Sequence, residues 1–205
     1  MKFLPFDKGI ENPEVEHDYR VEYMWNEVFT PDNLSDINSN FVFVSEEEEL
    51  EYNNKTQKVE KKIQENLIFP RYHQLDLNKS FKNQIPVDNI GTNYLVQHTT
   101  GSGKSYSIGW LAHLLTSLYK DKDSDERMFS SIIVVTDRKV LDKQLQNTIT
   151  SLQQVSGVVN NVTQGSKQLK EFLEQGKDII VTTIQKFPYV ISNINELDQK
   201  SFAVI

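Results

Sequence analysis

Two six-residue runs, 131–136 (S-I-I-V-V-T) and 178–183 (D-I-I-V-T-T), constrain this chain more than any other feature. Their middles are β-branched and apolar at consecutive positions. A strand with one wet face alternates between apolar and polar residues, whereas a strand covered on both faces does not. Cover on both faces needs helices, and the neighbouring sequence supplies them. Residues 104–119 place Ile108, Leu111, Ala112, Leu115 and Leu118 on one helical face, and residues 139–150 turn Val140, Leu141 and Leu145 inward. Residues 166–174 open on Ser166, carry Leu169, Phe172 and Leu173 on a face, and end before Gly176. Residues 94–97 (Y-L-V-Q) and 157–159 (G-V-V) read as further strands, and 202–205 (F-A-V-I) as the start of another. Strands that alternate with helices imply crossover connections and a parallel sheet. The expected class is α/β.

Between the first of these strands and the first helix lies Thr99-Thr100-Gly101-Ser102-Gly103-Lys104-Ser105. In that setting a glycine-rich loop is a phosphate cradle. Glycines let successive backbone N–H groups converge on phosphate oxygens, and the helix adds its positive end. Thr100, Gly101, Ser102, Gly103, Lys104 and Ser105 are therefore the expected nucleotide-binding residues. Lys104 would reach the β- and γ-phosphates of ATP and is the expected catalytic residue, while the Ser105 hydroxyl would hold Mg²⁺. The full pattern asks for a glycine at position 98, where His98 stands instead. His98 packs at the strand end in this reading and has no catalytic role.

The leading 65 residues differ in character. They hold 16 acids against 7 bases, a net of −9, whereas residues 66–205 hold 13 against 15, a net of +2. The chain divides accordingly into an acidic N-terminal extension, 1–65, and an α/β domain, 66–205. Trp25, Val28 and Phe29, then Leu34, Ile37 and Phe41, suit short helices, with Thr30 as cap and Pro31 at the first helical position. Residues 41–44 suit a short strand. The acidic run from Glu46 and the polar stretch to Lys62 read as a solvated, helix-prone linker, so the extension is expected to be mainly helical. There are no cysteines, no apolar run near the ~18 residues of a membrane span, and no signal-peptide core at the start. The expectation is a cytoplasmic protein without a membrane partner.

Several ordered segments together resemble the R (restriction) subunit of type I restriction-modification enzymes, whose motor belongs to helicase superfamily 2. They are Phe69-Pro70-Arg71-Tyr72-His73-Gln74-Leu75-Asp76, the 93–98 approach to the loop, and the loop itself. Residues 107–113 (S-I-G-W-L-A-H), 133–138 (I-V-V-T-D-R) with Val140, Leu141, Asp142, Gln144 and Leu145, and 181–187 (V-T-T-I-Q-K-F) complete the set. Residues 3–9 and 23–25 look like the connector ahead of such a motor. The resemblance implies a RecA-like lobe that uses ATP and Mg²⁺ and moves along double-stranded DNA, in complex with methylation and specificity subunits. Gln74 then corresponds to the adenine-reading glutamine, whose carboxamide can pair with adenine N6 and N7, and Arg71 or Tyr72 would stack on the base. Thr136, Asp137 and Arg138, then Thr182, Thr183, Gln185 and Lys186, correspond to two motifs that grip the DNA backbone. Strand C-terminal ends are where ligands of open α/β sheets gather.

Two elements of such an enzyme are not found. ATP hydrolysis needs a carboxylate pair after an apolar strand, and Asp125-Glu126 has no strand before it. The family would continue past Ile205 into that pair, so the chain reads as truncated and unable to hydrolyse ATP usefully by itself. Asp32 with Glu60-Lys61-Lys62 imitates a nuclease pattern, but a helix-prone Glu60 argues against a metal site there. Two other readings are a different superfamily 2 helicase or remodeller, and a non-catalytic nucleotide-binding interaction module.

Overall fold

The computed structural model describes residues 26, 28–53, 57–88, 90–121, 124–137, 139–152, 157–191 and 200–205. The segments 3–9 and 23–25 and Arg138 lie outside them, as do the side chains of Val140, Leu141, Asp142 and Gln144. The chain forms two compact units, Met1–Leu75 and Asp76–Ile205.

In the first unit, helix α1 (Pro31–Asn40) starts where Pro31 predicts, with Thr30 as N-cap, although the Thr30 hydroxyl makes no capping bond. Ile37 and Phe41 are buried. Beyond α1 the linker reading is corrected. Strands β1 (Phe43–Asn53) and β2 (Lys58–Ile68) form a long antiparallel hairpin in which Val44 faces Leu67 and Tyr52 faces Val59. Among the described residues of the extension, the hairpin therefore outweighs the helix. The physical reason is a spacing ambiguity: Val59, Ile63 and Leu67 recur every four residues, which suits one face of a helix and one face of a strand equally. Cross-strand pairs decide for the strand. Glu60 accordingly sits on β2 opposite Glu51, not on a helix, while Asp32 lies in the first turn of α1. Among the described residues no group of three acids or histidines is placed to hold a metal.

The second unit is the expected α/β layer structure. Helix α2 (Tyr72–Asp88) crosses into it, followed by α3 (Lys104–Thr116), β3 (Ser131–Thr136), α4 (Lys139–Ser151), β4 (Val159–Asn161), α5 (Ser166–Gln175), β5 (Ile179–Thr183), α6 (Phe187–Ile191) and β6 (Phe202–Val204). The four strands are parallel in the order β4-β5-β3-β6. Each strand sends alternate residues to opposite faces. Ile132, Val134, Ile179 and Val181 meet Leu111, Ala112 and Leu115 of α3 and Leu145 and Ile149 of α4. Ile133 and Ile180 face the other way, onto Leu169 and Leu173 of α5 and Val190 of α6. Both central strands are thus covered on both sides, as their unbroken apolar runs require. Gly176 closes α5 in the left-handed conformation, and the Lys200 ammonium donates to the Leu173 and Glu174 carbonyls at the same helix end.

One expected strand is absent. Residues 94–97 pair with no strand among those described, and Leu95 is 95% exposed. Tyr94 is held from the side: its ring meets Phe81 edge-on at 5.0 Å and its hydroxyl donates to Asp88 at 2.8 Å. A short apolar run becomes a strand only when a neighbour supplies the ladder, and here none does. The strand read at 157–159 is also displaced, to Val159–Asn161.

Candidate functional site

Two glycines in the loop 99–105 adopt left-handed backbone conformations, though no strand precedes the loop among the described residues. Gly101 and Gly103 adopt φ of +78° and +82°, a region that side-chain-bearing residues rarely enter. A Cβ on Gly101 would meet nothing within 4 Å, so the requirement there is conformational rather than steric. Gly103 caps α3, and its carbonyl takes the Tyr106 and Ser107 N–H groups at 3.0 and 3.3 Å. The Lys104 and Ser105 N–H groups lie in the first turn, where a helix offers them no carbonyl. The Lys104 ammonium folds back over the loop, donating to the His98 carbonyl at 2.9 Å and the Thr99 carbonyl at 2.6 Å. An ammonium has three donors, so this arrangement fixes the loop and leaves one proton for an anion. Ser105 is half-buried, and its hydroxyl has no hydrogen-bond partner among the described residues. These residues fit a triphosphate and a Mg²⁺ ion.

Gln74 and Arg71 belong to the first unit and are best understood from their own helix. Arg71 is the residue before α2, and Gln74 is its third helical residue. The Gln74 carboxamide oxygen accepts the Arg71 N–H at 2.8 Å, one half of a capping box. At 3% exposure Gln74 is a buried group, not the surface glutamine that its polarity alone implies. Arg71 is exposed.

The loops after β3 and β5 are tied together, and several of their threonines are buried. Thr136 and Thr183 are register partners at the C-terminal ends of the paired strands. Gln185 donates to the Asp137 carbonyl at 2.9 Å, which ties the two loops, and Lys186 bonds the Val162 carbonyl beyond β4. Thr182 is 0% exposed and shares the α5 face with Ile180, but Thr183 and Thr136 are buried too, at 3% and 9%. Asp125 and Glu126 lie in a surface loop where Glu126 pairs with Lys120.

The contact between α3 and α4 was not visible in the sequence. Gly109 lies against α4 so closely that a Cβ there would meet Leu152 Cδ1 at 2.6 Å. One turn on, His113 Nε2 lies 3.0 Å from the Ile149 carbonyl. A carbonyl only accepts, so Nε2 carries the proton and donates. Burial lowers the His113 pKa below 6.5, and this outweighs the opposing effect of the Ile149 carbonyl. A depressed pKa means that the unfolded chain takes up the proton first as pH falls. The stability that His113 contributes is therefore complete above about 6.5 and is lost as pH drops from there through the lower folded value. Urea midpoints at pH 8 and pH 5.5 should fall further for the wild-type chain than for His113→Gln; equal losses would contradict this origin.

A parallel sheet between helices, with a glycine-lysine-serine loop opening α3, defines a RecA-like lobe with a phosphate-loop sequence. The SWI2/SNF2 ATPase family model matches residues 73–205, well over half of the chain. This chain belongs to that family. It is also 35% identical over 109 residues, 52% of its length, to "Type I restriction enzyme SsaAORF53P endonuclease subunit" of Staphylococcus saprophyticus subsp. saprophyticus. The match covers 10% of that relative. Both findings support the resemblance read from the ordered motifs. Among the described residues no helix is long and apolar enough to cross a membrane.

Proposed function

We propose that this chain is the ATP-binding lobe of an ATP-driven double-strand DNA translocase, the motor of a type I restriction R subunit. The observation that carries the reading is the loop 99–105, with two left-handed glycines and an ammonium folded over the cradle. Lys104 and the first-turn N–H groups of α3 bind the β- and γ-phosphates. Ser105 holds Mg²⁺, which neutralises phosphate charge when bound. Gln74 as the adenine-reading residue, with Arg71 against the base, follows from the family resemblance.

Asp137, Arg138, Gln185 and Lys186 contact the DNA backbone, with Thr136, Thr182 and Thr183 at the buried strand ends behind them. Such contacts position the duplex without reading its sequence. Methylation and specificity subunits are the proposed partners, and the cytoplasm the proposed compartment. The test joins this lobe to a second RecA-like lobe and measures ATP turnover with and without linear duplex DNA. Strong stimulation by DNA that Lys104→Ala abolishes supports the motor. Nucleotide binding with no turnover in either condition replaces it with a passive binding module.

A further inference from the structure

Helices α3 and α4 leave the two places that the proposed function uses. Helix α3 begins at the phosphate loop, and α4 begins just after Thr136 and Asp137 at the end of β3. They meet at Gly109, midway along α3, and at Ile149 and Leu152 near the end of α4. Gly109 removes the side chain that would hold them apart, and Ile149 and Leu152 fill the space against it. His113 then supplies a directional bond across the same contact, to the Ile149 carbonyl at 3.0 Å. That carbonyl lies in the last turn of α4, where helix carbonyls lack regular partners and a donor from outside is most valuable. Among the described residues the Leu152 N–H also reaches it, at a longer 3.3 Å. A neighbouring carbonyl, that of Thr148, is taken by the Ser151 hydroxyl at 2.8 Å.

We propose that His113 is a positioning residue that locks α4 to the phosphate-loop helix, so that nucleotide at the loop and DNA at the Asp137 loop influence each other. The inference rests on the functional reading above. Close apolar packing sets the spacing of the two helices, but it is non-directional and restrains their register less sharply than a bond of fixed geometry. A hydrogen bond between a side chain of one helix and the terminal carbonyl of the other fixes that register. A shift of α3 when the loop closes on phosphate then moves α4, and with it the start of α4 beside Asp137. Reciprocity follows, because a coupling free energy acts equally in both directions.

The test uses the whole chain and measures duplex DNA affinity with and without a non-hydrolysable ATP analogue and Mg²⁺. The wild-type chain should show about a tenfold change in DNA affinity on adding nucleotide, within the usual range of such couplings. His113→Leu and His113→Asn should reduce that ratio to near one while each ligand still binds within about twofold, since neither substitution touches a ligand. His113→Gln, whose amide nitrogen takes the place of Nε2, should restore it. A purely structural role would lower stability without changing the ratio. A wild-type ratio retained in both His113→Leu and His113→Asn overturns the inference, as does a wild-type ratio near one when both ligands bind. If His113→Leu does not fold, the contrast between Gln and Asn decides. A wild-type chain that binds no nucleotide instead overturns the functional reading on which the inference stands.

Discussion

Lys104→Ala should weaken binding of ATP with Mg²⁺ by roughly 10- to 100-fold, with little change in the thermal unfolding midpoint. The size follows from removing a charged donor to phosphate, worth about 1.5–3 kcal/mol, where each 1.4 kcal/mol is about tenfold in affinity. The small stability effect follows from exposure, since the two bonds that Lys104 makes to His98 and Thr99 carbonyls are at the surface. Lys104→Arg should recover only part of the affinity, because a planar guanidinium on a longer reach does not replace a compact ammonium inside a tight loop. Fluorescence titration with a labelled ATP analogue measures all three proteins. An unchanged affinity in Lys104→Ala would remove the phosphate cradle from the account.

That loop was legible because its requirements are local. Glycine at a positive φ, a lysine one residue later and a helix behind it can be read from seven consecutive letters, and the structure places the φ angles as required. The strands β3 and β5 were legible for a related reason: consecutive β-branched residues have no stable position except between two covered faces. The failures share the opposite cause. Whether Val59, Ile63 and Leu67 make a helix or a strand depends on what β1 offers across the ladder, and a single segment does not carry that information. His113 and Gly109 became meaningful only against Ile149 and Leu152, about forty residues away. Gln74 drew notice through the family motif, but its bond to the Arg71 N–H depends on where helix α2 begins.

The missing strand at 94–97 makes the second large prediction a paired one. Ile180, the second residue of β5, is 0% exposed and pairs with Ile133 of β3 and Asn160 of β4. Ile180→Ala should cost about 2–5 kcal/mol, the transfer energy of the lost carbons plus the cavity between β5 and α5. Leu95 comes from a run that looks equally apolar in the sequence, yet Leu95→Ala should change stability by less than about 0.5 kcal/mol, as for an exposed side chain without partners. Urea unfolding of both variants separates the two situations. A large loss for Leu95→Ala would mean that residues 94–97 are buried in solution and pair as a strand after all. The contrast tests the rule that governed the whole unit: an apolar run stabilises a sheet through the neighbours that cover it, and the run alone contributes little.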